Sequence, residues 1–166
     1  MTNANDSVRR LAIRLGELCV ERGVSVTAAE SCTGGGVAAA ITDIAGSSRY
    51  FETGYVTYSN AAKQRLLGVP GETLDAHGAV SQPVVEAMVE GACRDSGARL
   101  GVSVSGVAGP DGGSDEKPVG TVWFAFAVDG RLEADRQRFA GGRDEVRQAA
   151  VLHALEGLIR RLDSLP

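Results

Sequence analysis

The sequence predicts an α/β protein: a single-domain three-layer α/β/α sandwich around a mixed, mostly parallel sheet. Three observations carry that prediction. Segments of helical periodicity alternate with short β-branched apolar runs, the pattern of helices packed on both faces of a sheet. Within residues 24–44 a strand passes through a small polar turn straight into a helix, the junction at which such folds place their chemistry. Asp129-Gly130 lies between two strand-like runs and marks a hairpin, so the sheet is not purely parallel. A chain of 166 residues fits one domain, 1–166, because single domains commonly run to about 100–150 residues or somewhat more. It can bury roughly two-thirds of its unfolded surface and so needs no disulfide or metal staple.

Taken in order, residues 6–22 place Val8, Leu11, Ala12, Leu15, Leu18 and Cys19 at helical spacing, with Asp6 or Ser7 as N-cap and Gly23 as the stop. VSVTAA (24–29) reads as a strand and feeds Ser31 and an alanine-rich helix to about Ile44, with Thr33-Gly34-Gly35-Gly36 as its first turn. TGYVTY (53–58) is a second strand. Ser59 or Asn60 then caps a short helix carrying Ala61, Lys63, Leu66 and Leu67, closed by Gly68. Ser81-Gln82-Pro83 opens a helix that ends near Gly97, and LGVSVSG (100–106) is a buried-type strand. A polar, glycine-rich loop (107–118) precedes a long central strand (119–128), the hairpin partner (132–139) and a last amphipathic helix from Arg143 to Leu162.

Composition removes several function classes. Hydrophobic residues at 43% with 23% charged residues are ordinary for a globular protein. No apolar run approaches the ~20 residues of a membrane helix, and the N-terminus lacks the apolar core of a secretory signal, so the expected address is cytoplasmic. A net charge of −4 gives no electrostatic footprint for nucleic acid. Cys19, Cys32 and Cys93 are widely spaced, without CxxC, and with only His77 and His153 beside them they suggest neither a disulfide framework nor a metal site. His77 reads as a turn residue and His153 as helix packing or surface.

Ser31 is the first candidate for chemistry. A serine at a strand–helix junction can be a simple N-cap. Three consecutive glycines beyond it argue for more, since each costs a helix about 1 kcal/mol relative to alanine. They leave backbone N–H groups accessible, as an oxyanion hole or a phosphate cradle requires. A serine nucleophile needs a base, and neither histidine lies in a triad signature. Of 17 basic residues only Lys63 and Lys117 are lysines, and lysine, unlike arginine, can give up its proton when buried. Lys63 falls in the first turn of its helix, where the dipole favours the neutral amine, with Tyr58 five residues earlier closing a strand. A solvated Lys63 and a core Tyr58 are the plain alternative. Ser105 and Gly106 begin a loop that walls a pocket or serves as an exposed connection. Cys32 is the rival nucleophile, against its reading as a small buried hydrophobe. ATP and dinucleotide fingerprints are absent, so no cofactor is expected.

AESCTGGGVAAAITDIAGSSRYFETGYVTYSNAAKQRLLGV (29–69), HGAVS (77–81), SVSGVAGPDGGSDEKPVGTVWFAFA (103–127) and GGRDEVR (141–147) together resemble the CinA C-terminal domain family, the nicotinamide-nucleotide amidases. The resemblance covers nearly the whole chain. It implies hydrolysis of nicotinamide mononucleotide to nicotinate mononucleotide and ammonia, without metal or cofactor, in pyridine-nucleotide recycling, and it implies the stand-alone form of the domain. It carries a serine nucleophile to Ser31 and its lysine and tyrosine support to Lys63 and Tyr58. Thr33, Gly34 and Gly35 then become substrate-binding positions, with the Thr33 and Gly34 amides on the oxyanion. Ser105, Gly106 and Arg143 become candidates for the 5′-phosphate, Arg143 being equally readable as a structural ion-pair residue. Gly36 departs from the family pattern, where a bulkier residue is usual, and is expected to alter the pocket wall. A small-molecule nucleotide is thus the expected partner, with no nucleic acid and no membrane; a homo-oligomer is compatible with the sequence. A non-catalytic nucleotide-binding module and an amidase for another carboxamide are the alternatives.

Overall fold

In the computed structural model, which describes residues 3–165, the sheet order is β2-β1-β3-β4-β5. The strands are β1 (Val26–Glu30), β2 (Phe51–Val56), β3 (Leu100–Gly106), β4 (Thr121–Val128) and β5 (Arg131–Arg138). β1 pairs parallel to both β2 and β3, while β3–β4 and β4–β5 are antiparallel. Four strands therefore run one way and β4 alone opposes them, although the pairings are evenly split. The helices are α1 (Ala4–Arg22), α2 (Gly36–Thr42), α3 (Asn60–Leu67), α4 (Gly71–His77), α5 (Gln82–Ser96) and α6 (Arg143–Asp163).

Alternation along the strands splits the core in two. Val102, Val104, Val122, Phe124 and Phe126 point to one face and pack under α1, α2 and α6 with Leu15, Ile41, Val146, Leu155 and Leu158. Ala29, Tyr55, Ala125 and Ala127 point to the other and meet Leu67, Leu74, Val84, Val85, Met88 and Val89 of the α3–α5 layer. Each fully buried Val, Leu, Ile, Phe or Met side chain among these contributes about 1.5–3 kcal/mol. Two helical layers over one sheet give the expected three-layer sandwich.

Several boundaries differ from expectation, each for a local reason. Asn3, not Asp6 or Ser7, caps α1: its side chain accepts the Asp6 amide at 2.8 Å. Gly23 ends that helix with φ 65°, as read. The second strand begins and ends two residues early, because Thr57 leaves the sheet after donating its amide to the Glu30 carbonyl at 2.9 Å. Helix α4 was not anticipated, and it makes His77 a helix-terminal residue rather than a turn residue.

The order of connections fixes where a ligand can bind. From β1 the chain crosses under α2 to β2, then returns through α3, α4 and α5 on the opposite face to β3. The direction of winding reverses between β1 and β3, and in open α/β sheets ligands bind outside the carboxyl ends of strands at such a point.

Candidate active site

The carboxyl end of β1 carries Glu30 and then Ser31. Glu30 is fully buried, and its two carboxylate oxygens accept the amides of Val37 at 2.8 Å and Ala38 at 3.0 Å. Those are first-turn amides of α2, so Glu30 caps the helix. Ser31 is thereby released from capping, and its backbone amide is held by the Val104 carbonyl at 2.9 Å. Residues 33–36 are not the first turn of the helix, as expected from sequence, but mostly a tight turn that precedes it. Gly34 and Gly35 have φ of +58° and +102°, which an L side chain rarely adopts, and α2 starts only at Gly36. Within the turn the Gly34 amide is given to the Ser31 carbonyl at 3.0 Å, whereas the Thr33 amide meets no backbone carbonyl among the described residues.

Lys63 comes to the same point from α3. Ser59 caps that helix, accepting the Ala62 amide at 3.0 Å, and this sets the first turn so that Lys63 points inward. The side chain is 1% exposed. Its Nζ donates to Ser31 Oγ at 2.9 Å and to the Thr57 carbonyl at 2.7 Å, and it forms no ion pair among the described residues. Burial lowers the amine's pKa, outweighing an opposing pull from Cys32. The Cys32 thiol is itself pushed up to about 11, chiefly by burial, which leaves it protonated near neutral pH. The solvated-lysine reading of Lys63 is thus excluded, and Cys32 fits its packing role.

Above this pair lies a cavity of about 300 Å³ bounded by Ser31, Tyr58, Lys63, Ser105, Gly106 and Arg143. Tyr58 is 61% exposed at its rim, so it is not a core tyrosine, and it lies beyond the end of β2. Its hydroxyl accepts from Arg143 Nη2 at 2.9 Å, and Arg143 Nη1 donates to the Gly109 carbonyl at 2.9 Å. Tyr58 makes no hydrogen bond to Ser31 or Lys63 among the described residues, and Arg143 bridges rim groups rather than pairing with a carboxylate.

The remaining sequence candidates go elsewhere. Thr33, Gly34 and Gly35 do not bound this cavity. Thr33 and Gly36 open instead onto a second cleft of about 550 Å³ behind the turn, between α1, α2 and α6. A β-carbon on Gly36 would stand 2.9 Å from Val151 Cγ2, so the departure at Gly36 alters that rear cleft and not the wall beside Ser31. Sequence reasoning passed over Glu30 and Arg147, which brace the turn from behind; only Glu30's place one residue before Ser31 could have signalled it. Among the described residues no three His, Cys, Asp or Glu side chains converge on a metal-sized point, and no helix is long and apolar enough to cross a membrane.

Fold and site define the class: an α/β protein with a buried serine–lysine pair at the switch point of its sheet. The chain belongs to the CinA C-terminal domain family, whose model matches residues 8–162. It is 57% identical to the nicotinamide-nucleotide amidohydrolase PncC of Pseudomonas putida, covering 93% of this chain and 97% of that one. With the protein of the same name from Escherichia coli K12 it shares 55% identity, over 93% and 94% of the two chains. Among solved structures it superposes on the competence/damage inducible protein CihA from Agrobacterium tumefaciens with a TM-score of 0.91 at 46% identity, over 95% and 96% of the chains. A CinA superfamily protein from Klebsiella pneumoniae gives 0.92 at 40%, over 95% and 99%.

Proposed function

We propose that this chain is an amidase that converts nicotinamide mononucleotide and water to nicotinate mononucleotide and ammonia, in the cytoplasm, as a step of pyridine-nucleotide recycling. The names of the two amidohydrolase relatives support the substrate. The chemistry rests on one observation: Lys63 Nζ lies 2.9 Å from Ser31 Oγ, in a site dry enough to lower the amine's pKa.

When Lys63 is neutral, the same separation lets the Ser31 hydroxyl donate to the amine lone pair. Lys63 takes the proton as Ser31 Oγ bonds to the carboxamide carbon, and the Thr57 carbonyl keeps the resulting ammonium in place. We assign the oxyanion to the Thr33 amide, whose peptide unit starts at Cys32 on the cavity lining and which no backbone carbonyl engages among the described residues. As the C–N bond breaks, the Lys63 proton passes to the leaving nitrogen and ammonia departs. Water, deprotonated by the same amine, then attacks the ester and releases the carboxylate product with Ser31 restored. Tyr58 and Arg143 at the rim orient the nucleotide, with Arg143, Ser105 and Gly106 on its phosphate side.

The test is ammonia release from nicotinamide mononucleotide by the wild type and by Ser31→Ala, alongside a panel of carboxamides lacking the ribose phosphate. Turnover of the nucleotide that disappears in a folded Ser31→Ala protein is expected. Preference for a panel amide would replace the substrate; nucleotide binding without turnover would make the chain a non-catalytic module.

A further inference from the structure

Arg147 lies one turn into α6, behind the Ser31 turn and outside the cavity above Ser31. Its guanidinium reaches forward to the turn: Nε donates to the Cys32 carbonyl at 3.1 Å and Nη2 to the Thr33 carbonyl at 3.3 Å. It forms no ion pair among the described residues, so its charge is directed at these two oxygens. The approach depends on Gly34, whose β-carbon, if present, would stand 3.2 Å from Nη2.

The chemistry follows from amide resonance. The Cys32 carbonyl shares its peptide unit with the Thr33 N–H, and the Thr33 carbonyl shares its unit with the Gly34 N–H. A cation on the oxygen draws density along the planar amide and makes the N–H at the other end a stronger donor. One contact therefore strengthens the Thr33 amide. The other strengthens the Gly34 amide, which closes the turn on the Ser31 carbonyl.

We infer that Arg147 is a positioning residue for acyl transfer, fixing the Ser31 turn and polarising the peptide unit that stabilises the oxyanion. The inference rests on the serine-amidase reading above. Because the oxyanion exists only near the transition state, loss of Arg147 acts on kcat and leaves KM nearly alone.

The experiment compares wild type, Ser31→Ala, Arg147→Ala and Arg147→Lys in ammonia release from nicotinamide mononucleotide, with pH–rate profiles and thermal unfolding on each. Arg147→Ala is expected to lower kcat roughly 10- to 100-fold, less than the loss of a direct oxyanion donor, with KM within about threefold. Its pH–rate midpoint should match wild type, since burial and Cys32, not Arg147, set the Lys63 amine. Arg147→Lys and added guanidinium should each restore part of the rate. A kcat within about twofold of wild type, or a loss confined to KM, would overturn the inference. If Arg147→Ala is too unstable to assay, Arg147→Lys decides: lowered kcat at constant KM supports it, and unchanged kcat overturns it. A wild type without turnover defeats the amidase reading and this inference with it. An active wild type with an undiminished Arg147→Ala defeats this inference alone.

Discussion

The floor and the rim of the cavity are built on different principles. At the floor, Ser31 and Lys63 are 9% and 1% exposed and are held by backbone groups of β3 and of the segment after β2. At the rim, Tyr58 is 61% exposed, and Arg143 links it through an exposed hydrogen bond to the Gly109 carbonyl, which Arg143 meets in a part-buried one. A floor fixed before substrate arrives suits chemistry, since its groups need no reorganisation during reaction. A rim that rearranges suits binding. On the proposed reading, effects on kcat belong to the floor and effects on KM to the rim.

The largest effect tests the floor at its centre. Ser31→Ala should lower kcat on the order of 10⁴-fold or more while thermal stability and calorimetric nucleotide binding persist. Substantial residual turnover would remove serine from the mechanism.

Lys63 comes next. Lys63→Arg, which keeps a charge that cannot be given up, should lose about 10²- to 10⁴-fold. In the wild type the rate should rise with pH through a midpoint below the free-lysine value of about 10.4 and then level off. Stability carries the same signature. The folded pKa lies below the unfolded one, so between them the unfolded chain binds more protons and stability climbs with pH. Lys63→Met should therefore be inactive yet more stable than wild type near neutral pH, with the gap closing toward pH ~10. A gap independent of pH would mean that the amine is not desolvated.

Rim substitutions should be milder and of another kind. Arg143→Ala should raise KM by about 10- to 100-fold, the size of a lost charged hydrogen bond, with a smaller change in kcat. Tyr58→Phe should act the same way more weakly. A selective fall in kcat for Tyr58→Phe would move it from the rim into proton transfer. Smallest of all, Cys32→Ala and Lys117→Arg should stay within about threefold of wild type. The Cys32 thiol is protonated at working pH, and Lys117 only ties the loop to the His77 carbonyl at 2.6 Å.

Sequence periodicity was enough for the layers, because strand alternation and helix spacing are local consequences of which face is buried. It also singled out Ser31, Tyr58 and Lys63, since turn composition and the scarcity of lysine are visible along the chain. What it missed was long-range. Glu30 caps a helix seven residues ahead through a buried carboxylate, and Arg147 reaches 115 residues back to the Cys32 carbonyl. The glycine run, read as helix, became a turn because Gly34 and Gly35 take positive φ, which composition permits but does not compel.

The carboxylate of Glu30 has one further consequence. A helix start following a glycine-rich turn is where a nucleotide's phosphate would be drawn, yet at α2 the chain has placed a side chain of its own there, Glu30, whose oxygens accept the Val37 and Ala38 amides. The N–H groups that would have met a phosphate are taken by Glu30, so this helix start offers no seat for one, and a phosphorylated ligand must be held by other groups.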